Sequence, residues 1–333
     1  MNVVSFARAL IDIDSTTGCE AAAGAWLAAE LEALGYRVAR QPVGDGRYNV
    51  LATLDAPCVV FSTHYDCVPP FFPSRLSDGR LYGRGACDAK GILAAQVAAA
   101  ERLRAQGERR AGLLFVVGEE RGSDGAAVAN AAACDSRYLI NGEPTDSRVA
   151  SATRGVLRVR LRASGRAAHS AAPEAGISAI EKLIDALVRL RALPLPADPE
   201  LGATSYSIGL IEGGVAPNVI PPHASAEVMF RTVGDHEAVL AALRPISDLV
   251  AVSEVLTVPA VRFRVPAGLD VDAAVFPFTT DVPFLDRWGT PLLFGPGSFL
   301  VAHTADEHVA IAELEAGVDV YERLARWCLA KLG

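Results

Sequence analysis

Short, continuous apolar runs bounded by turn residues are the clearest pattern in the chain. They span residues 58–61, 112–117, 138–140 and 291–294. Runs of this kind are typical of strands buried on both faces, as in a parallel sheet. Further strands are predicted at 36–43 and 48–54, and helices at 21–34 and from Gly91 to residue 103. Up to about residue 150 strands therefore alternate with helices, which predicts βαβ units.

The pattern changes in the middle of the chain. Residues 156–163 alternate apolar with basic side chains, which indicates a strand with one solvated face. A helix, two strands and a second helix are predicted at 177–190, 205–212, 224–233 and 236–250. This βαββα order indicates a small sheet covered by two helices. The first pattern then returns and ends in a helix at about 310–331. We therefore predict one domain from 1–153 and 263–333, with residues 154–262 inserted as a second domain.

Composition narrows the choice of function. The chain has 333 residues, is 51% hydrophobic and carries a net charge of −8. A negative balance opposes nucleic-acid binding, and no apolar run is long enough for a membrane span. The first residues lack the pattern of a signal peptide. Six scattered cysteines without a Cys-x-x-Cys pair favour free thiols in a reducing cytoplasm.

Residues that bind divalent metals follow the apolar runs. The candidates are His64, Asp88, Glu120, Glu143 and His303. In an open α/β sheet the carboxyl ends of the strands line one crevice, so distant segments can supply a single site. With Asp88 as a bridge, one metal would take His64 and Glu143, and the other would take Glu120 and His303. Each metal then has three protein ligands and room for a shared water.

Two further acidic residues have different predicted tasks. Asp66 would orient the imidazole of His64. Glu119 lies beside a ligand and is free to take a proton from the shared water as general base. A Glu-Glu pair is usually a solvated helix face, but this pair directly follows an apolar strand. Cys67 and Cys87 could bind zinc as thiolates, although small buried residues are the better interpretation.

At these motifs the chain resembles the co-catalytic zinc amidohydrolases that include acetylornithine deacetylase, succinyl-diaminopimelate desuccinylase, aminoacylase and carboxypeptidase G. The motifs are Ser-Thr-His-Tyr-Asp at 62–66, Gly-Arg-Gly-Ala-Cys-Asp at 83–88, Gly-Glu-Glu at 118–120, Gly-Glu-Pro-Thr at 142–145 and Ala-His-Thr-Ala-Asp-Glu at 302–307. The resemblance implies an α/β, zinc-exopeptidase-like fold whose mostly parallel sheet is flanked by helices. It also implies an inserted α+β lid and dimerisation domain of βαββαβ type, and a cis peptide after Asp88.

The resemblance also implies roles that the bare sequence could not show. His169, within Gly-Arg-Ala-Ala-His-Ser at 165–170, would stabilise the oxyanion in the partner subunit's site. Asn218 resembles a lid residue that contacts substrate. Arg231 stands where the family binds the substrate carboxylate, although it could simply close a strand, and Arg154 is a weaker candidate for that task. Thr280 belongs to a segment that resembles a pocket wall.

The function expected from the sequence is hydrolysis of the amide bond of an N-acyl amino acid. The closest motif resemblance is to acetylornithine and acetylcitrulline deacetylases, and the cofactors expected are two divalent metal ions, zinc with cobalt as a possibility. A dipeptidase or carboxypeptidase is the alternative, as is a hydrolase that releases lysine or ornithine from a carrier protein. The expected enzyme is a cytoplasmic homodimer joined through the lid, without nucleic-acid or membrane partners. An inactive binding module would lack Glu119 or a ligand, and none is missing.

Overall fold

The computed structural model describes residues 1–332. Its helices are α1 (Val3–Ile11), α2 (Ala21–Ala33), α3 (Lys90–Ala105), α4 (Asp124–Ala131), α5 (Ala179–Leu190), α6 (His236–Leu243) and α7 (Ile311–Ala330). Its strands are β1 (Arg37–Gly44), β2 (Arg47–Thr53), β3 (Val59–His64), β4 (Arg75–Ser77), β5 (Arg80–Tyr82), β6 (Ala111–Val116), β7 (Tyr138–Asn141), β8 (Val149–Thr153), β9 (Gly155–Ser164), β10 (Ala197–Asp198), β11 (Gly202–Ala203), β12 (Ser205–Gly213), β13 (His223–Thr232), β14 (Ala251–Val258), β15 (Val261–Arg262), β16 (Ala273–Phe276), β17 (Thr290–Leu293) and β18 (His308–Ala310).

The chain divides into two compact units. The first contains Met1–Ser151, Phe263–Ala274 and the described residues from Thr280 onward. The second contains Ala152–Arg262 together with Val275–Thr279. The sequence predicts that everything after residue 262 belongs to the first domain. In the structure, the short segment Val275–Thr279 instead belongs to the second unit.

A six-stranded sheet forms the centre of the first unit, in the order β1-β2-β6-β3-β7-β17. Strands β6, β3, β7 and β17 are parallel, while β1 and β2 form an antiparallel hairpin at one edge. All six residues of β3 and all six of β6 are buried. The prediction of doubly buried parallel strands is confirmed.

Alternate side chains of the same strand enter two different cores of the first unit. Val59 and Phe61 of β3 point into the larger core, which contains residues from α1, α2, α3 and α7. Val60 points to the opposite face, where it packs with Trp288 and with alanines of α4. This period of two explains why the strand is a continuous apolar run, because each face of the sheet is covered by helices.

The second unit is built on an antiparallel sheet in the order β12-β13-β9-β14. Leu157, Val159 and Leu161 of β9 enter a core with apolar residues of α5 and α6. The arginines between them lie on the other, solvated face, as the alternating pattern predicts. Strand β14 completes the βαββαβ order. The α/β fold with an inserted α+β unit is confirmed.

Three further sequence expectations concern a helix end, the cysteines and membrane-spanning helices. Helix α6 ends at Leu243, not at residue 250, because Pro245 lies in a 3₁₀ turn that follows it. All six cysteines are free thiols. No helix within residues 1–332 combines the length and apolar character needed to cross a bilayer.

Candidate metal centre

Three neighbouring parallel strands end at the candidate site. His64 is the last residue of β3, which lies between β6 and β7. Glu119 and Glu120 begin a 3₁₀ turn just after β6, and Glu143 follows β7 by two residues. The carboxyl ends of parallel strands lie at the same edge of a sheet. These side chains are therefore close together although they belong to distant segments of the sequence.

Gly118 makes the turn after β6 possible. Its φ of +75° lies in the left-handed region, and a Cβ there would stand 1.8 Å from Asp124 Oδ1. A residue with a side chain would be strained in this conformation and would displace the Asp124 carboxylate. The turn that carries Glu119 and Glu120 therefore depends on this position.

Two loops supply the remaining candidates. Asp88 lies in the loop before α3, and the peptide bond to Ala89 is cis, as the resemblance implies. His303 lies in the loop before β18, with a φ of +65°.

The candidate ligands form two groups that share Asp88. His64, Asp88 and Glu143 offer ligand atoms within 4.8 Å of one another, and so do Asp88, Glu120 and His303. His64 Nε2 lies 3.0 Å from Asp88 Oδ1 and 3.9 Å from Glu143 Oε2. On the other side, His303 Nε2 lies 3.2 Å from Asp88 Oδ2 and 3.0 Å from Glu120 Oε1.

The charged groups in this cluster strongly shift one another's pKa values. Burial raises the pKa of Glu119 and of Glu143 well above the ordinary range, and nearby carboxylates add to the shift. Although burial opposes it, hydrogen bonds from His303 and His64 lower the pKa of Asp88. Bonds to Asp88 and Glu120 raise the pKa of His303 to about 10. The site thus concentrates negative charge that a cation would neutralise.

The donor set fits two divalent ions. Imidazole nitrogens and carboxylate oxygens are ligands that zinc prefers, and a shared carboxylate is typical of two-metal sites. Glu143 Oε1 is buried and has no hydrogen-bond partner in residues 1–332. A buried carboxylate oxygen without a partner is costly, so its position here agrees with a ligand role.

Asp66 contacts more than the imidazole predicted for it. The ring atom His64 Nδ1 lies 3.0 Å from the Asp66 backbone oxygen and 3.4 Å from its Oδ1. The carboxylate oxygens also accept backbone N–H bonds from Glu119 (3.1 Å) and Glu120 (3.3 Å). Thr17 Oγ1 donates a further bond of 2.9 Å to Oδ2. Asp66 therefore ties the end of β3 to the turn after β6, and Thr17 is a contributor that the motifs did not indicate.

Asp281 lies in the segment 279–281 that resembles a pocket wall, but the sequence assigns it no task of its own. Its side chain is buried, and its Oδ1 has no hydrogen-bond partner in the described chain. Burial raises its pKa to about 7, and its charge raises the pKa of Glu119 and of Glu143. The Oγ1 of the neighbouring Thr280, which is predicted to lie in the pocket wall, accepts the N–H of Val282 and shapes the turn.

The residues expected to contact substrate from the lid lie in the second unit. His169 and Asn218 are exposed and close together, because the N–H of Ser170 donates to the Asn218 oxygen at 3.0 Å. His169 Nδ1 accepts the N–H of Ala171 at 3.0 Å. The other ring nitrogen, Nε2, makes no hydrogen bond within residues 1–332.

The two arginines differ in their surroundings. Arg231 lies on β13, and burial lowers the pKa of its guanidinium, which has no hydrogen bond or ion pair within residues 1–332. Arg154 Nε instead donates to the backbone oxygen of Leu201 at 3.0 Å.

The thiols of the two cysteines near the cluster contact backbone oxygens. Cys87 Sγ donates to the Ser298 oxygen at 3.2 Å, and Cys67 Sγ lies 3.8 Å from the Asp88 backbone oxygen. Burial raises the pKa of the Cys67 thiol to about 12 and that of Cys87 well above its usual range. Neither belongs to a candidate ligand group.

The fold and the paired ligand groups define a class of two-metal hydrolases. Residues 60–327 match the model of Peptidase family M20/M25/M40, so the chain belongs to this family. It is a metal-dependent hydrolase of amide bonds. The narrower resemblance to acetylornithine deacetylase is not confirmed.

Three proteins are similar to this chain in sequence or in fold. A protein of Aspergillus clavatus named "Probable carboxypeptidase" is 38% identical over 377 residues, which cover 99% of this chain and 83% of the relative. Aminopeptidase PepT from Bacillus cereus has a similar fold, with a TM-score of 0.83 at 20% identity over 98% of both chains. The YXEP protein of Bacillus subtilis, described as a dinuclear metal binding peptidase, has a TM-score of 0.75 at 16% identity and covers 97% and 96%.

Proposed function

We propose that the protein cleaves the amide bond on the amino side of a residue whose carboxylate is free. The observation that carries this proposal is the pair of ligand groups joined by Asp88. The residues proposed as metal ligands are His64, Asp88, Glu120, Glu143 and His303.

Glu119 is the proposed general base. Two divalent ions, when bound, supply water activation and polarise the scissile carbonyl. The carboxylate of Glu119 accepts a proton from the attacking water and later gives it to the leaving nitrogen. Burial raises the pKa of Glu119, and the nearby charge of Asp281 adds to this shift. Asp66 keeps the turn that carries Glu119 in place.

The substrate proposed is an N-blocked dipeptide or similar short peptide, cut at its C-terminal residue. The name of the Aspergillus clavatus relative supports a carboxypeptidase-type activity. Arg231 supports a carboxylate anchor, because its half-buried guanidinium has no partner within residues 1–332 and a guanidinium fork suits a carboxylate. Acetylated amino acids, including acetylornithine, are the second candidates, since they present the same amide and carboxylate.

The second unit is proposed as a lid through which two copies pair. Its edge strand β12 and helix α5 expose large apolar side chains, among them Ile211 at 63%, Val188 at 58% and Ile184 at 47%. An exposed edge with apolar neighbours favours pairing with another chain. In such a dimer His169 and Asn218 would serve the partner's substrate.

A substrate panel tests the activity. The protein loaded with zinc or cobalt is assayed on N-blocked dipeptides, free dipeptides, and acetylated and succinylated amino acids, with Glu119→Gln as the inactive control. We expect release of the C-terminal residue from blocked dipeptides, and amidated C termini to be poor substrates. Faster cleavage of acetylated amino acids would favour the deacetylase alternative, and no cleavage of any amide would contradict the proposal.

A further inference from the structure

Glu307 is a fully buried acid that belongs to neither ligand group. Its Oε1 accepts three backbone N–H bonds, from Gly85 at 2.9 Å, Cys87 at 3.2 Å and Asp88 at 3.1 Å. Its Oε2 accepts a bond of 2.6 Å from Nη1 of Arg84, which is itself buried. All four donors lie in one short segment that ends at the shared ligand Asp88.

The segment is shaped to surround this carboxylate. Gly85 has a φ of +90°, and a Cβ there would lie 2.8 Å from Cys67 Sγ. A residue with a side chain would be strained there and would have to displace the Cys67 thiol, at the point where the backbone turns its N–H toward Glu307. Successive N–H groups that converge in a concave turn are a favourable place for an anion.

Glu307 also lies on the loop that carries His303. It follows His303 by four residues, and its own backbone oxygen accepts the N–H of Gly83 at 3.2 Å. The next residue, His308, begins β18 and pairs with Tyr82 of β5. Glu307 thus joins the loop of His303 to the loop of Asp88. His303 and Asp88 are candidate ligands of the same ion.

An apolar residue at position 307 would be sufficient if only the stability of the fold were needed. Burying a charged pair costs desolvation that an apolar pair of similar size avoids. Arg84 offsets part of that cost here, and it is held by the Pro70 oxygen at 3.2 Å and by the ring of Phe72 at 4.9 Å. The pair therefore orders a specific backbone geometry, at the point where two metal ligands must meet.

We propose that Glu307 is a positioning residue that fixes the distance between Asp88 and His303 by binding the backbone of residues 85–88. This inference rests on the proposed metal centre. Glu307 acts through Asp88 and His303 and itself contacts no ion or substrate. It predicts a larger defect at the ion held by Asp88, Glu120 and His303 than at the other ion, which depends on Glu307 through Asp88 alone.

The first test is the variant Glu307→Gln, compared with Asp306→Asn. An amide offers one acceptor oxygen, so its NH₂ group must face either the three backbone N–H donors or Arg84. Asp306 is exposed and adjacent, so its variant removes the same charge without touching the segment. Affinities for two Co²⁺ ions are measured by chelator competition, and the visible absorption of each bound ion is recorded.

We expect Glu307→Gln to bind the ion of Asp88, Glu120 and His303 about 10- to 100-fold less tightly, the usual effect of losing a support behind a ligand. The absorption of that ion should change more than the absorption of the other ion, which shares only Asp88, and both ions of Asp306→Asn should match wild type. Unchanged affinity and absorption of both ions would overturn the proposal. So would a lower melting temperature of the metal-free protein with normal Co²⁺ absorption, because that result describes a purely structural role.

Glu307→Asp provides a second measurement if the glutamine variant does not fold. It keeps the charge and shortens the arm by one methylene, so a changed absorption of the same ion would isolate geometry from charge. Failure of both variants to fold would assign Glu307 to the fold alone and overturn the proposal. A wild-type protein that binds no Co²⁺ would instead contradict the proposed function.

Discussion

The side chain of Asp66 and the backbone of Glu119 are joined by a hydrogen bond of 3.1 Å, from the Glu119 N–H to Asp66 Oδ1. The same carboxylate accepts the N–H of Glu120 and the hydroxyl of Thr17. Every one of these partners is a donor. Asp66 therefore has to offer two acceptor oxygens, and it positions a proposed base and a proposed ligand at once.

Asp66→Asn should lower kcat without preventing folding. The amide places an NH₂ group against backbone or hydroxyl donors, so the turn of Glu119 and Glu120 must shift. We expect a loss of about 10- to 100-fold in kcat or metal affinity. Thr17→Val removes a single donor and is the matched control, with a smaller effect expected. Equal, small effects of both variants in steady-state kinetics would contradict this role of Asp66.

Glu119→Gln should retain its metals and lose its activity. The side chain keeps its shape but cannot accept a proton, so kcat should fall by at least about 100-fold, the usual scale for a general base. Elemental analysis checks the metal content, and steady-state kinetics check turnover. Near-normal turnover with full metal content would show that Glu119 is not the base.

Much of the first unit could be predicted because its strands are buried on both faces. The apolar runs before His64 and Glu119 therefore stand out, and the carboxyl ends of parallel strands bring their following residues to one edge. Helix α1 was not predicted although its signals were present. It buries Phe6 and Leu10 on one face, and Asn2 caps it by accepting the N–H of Ser5 at 2.8 Å.

Other features could not be predicted from residue types. Thr17 and Glu307 act through hydrogen bonds with Asp66 or with backbone N–H groups. The position of a backbone N–H depends on the finished fold and leaves no pattern in the sequence. Asp281 is similar, because its charge raises the pKa of Glu119 only where the fold buries the two groups near each other.

Replacing a proposed imidazole ligand should remove metal. His64→Ala and His303→Ala each delete one nitrogen from a different ligand group. We expect each purified variant to hold fewer than two ions by elemental analysis, because a catalytic site with three protein ligands has none to spare. His236→Ala is the control, since His236 lies in the second unit beside Asp235 and Glu237. Two ions in both ligand variants would contradict the ligand assignment.

Chelation should lower the melting temperature of the wild-type protein. The carboxylates of Asp88, Glu120 and Glu143 lie close together, and an ion bound only by the native state raises the free energy of unfolding. At a free ion concentration about 1,000 times Kd, each ion contributes about 4 kcal/mol. Differential scanning calorimetry with and without chelator measures the shift.

The double variant His64→Ala/His303→Ala is the control for that experiment. It should melt at the same temperature with or without chelator. A wild-type protein that loses its metal to the chelator and melts unchanged would show that these carboxylates are not neutralised by the ion.

Mixing two inactive variants tests the proposed dimer. His169→Ala and Glu119→Gln should each be inactive, for different reasons. In a mixed dimer one site has an intact Glu119 and receives His169 from the other chain, so that site should work. With random exchange half of the dimers are mixed and each has one competent site, so activity should recover to about a quarter of wild type.

The surface proposed for pairing gives this experiment its control. Ile211 and Val188 are exposed on β12 and α5, so Val188→Glu with Ile211→Glu should place charges in the interface and prevent recovery. Light scattering then has to show a monomer for that variant and a dimer for wild type. Full activity of a strictly monomeric wild-type protein, or no recovery after exchange has been demonstrated, would mean that His169 is an ordinary residue of an exposed loop.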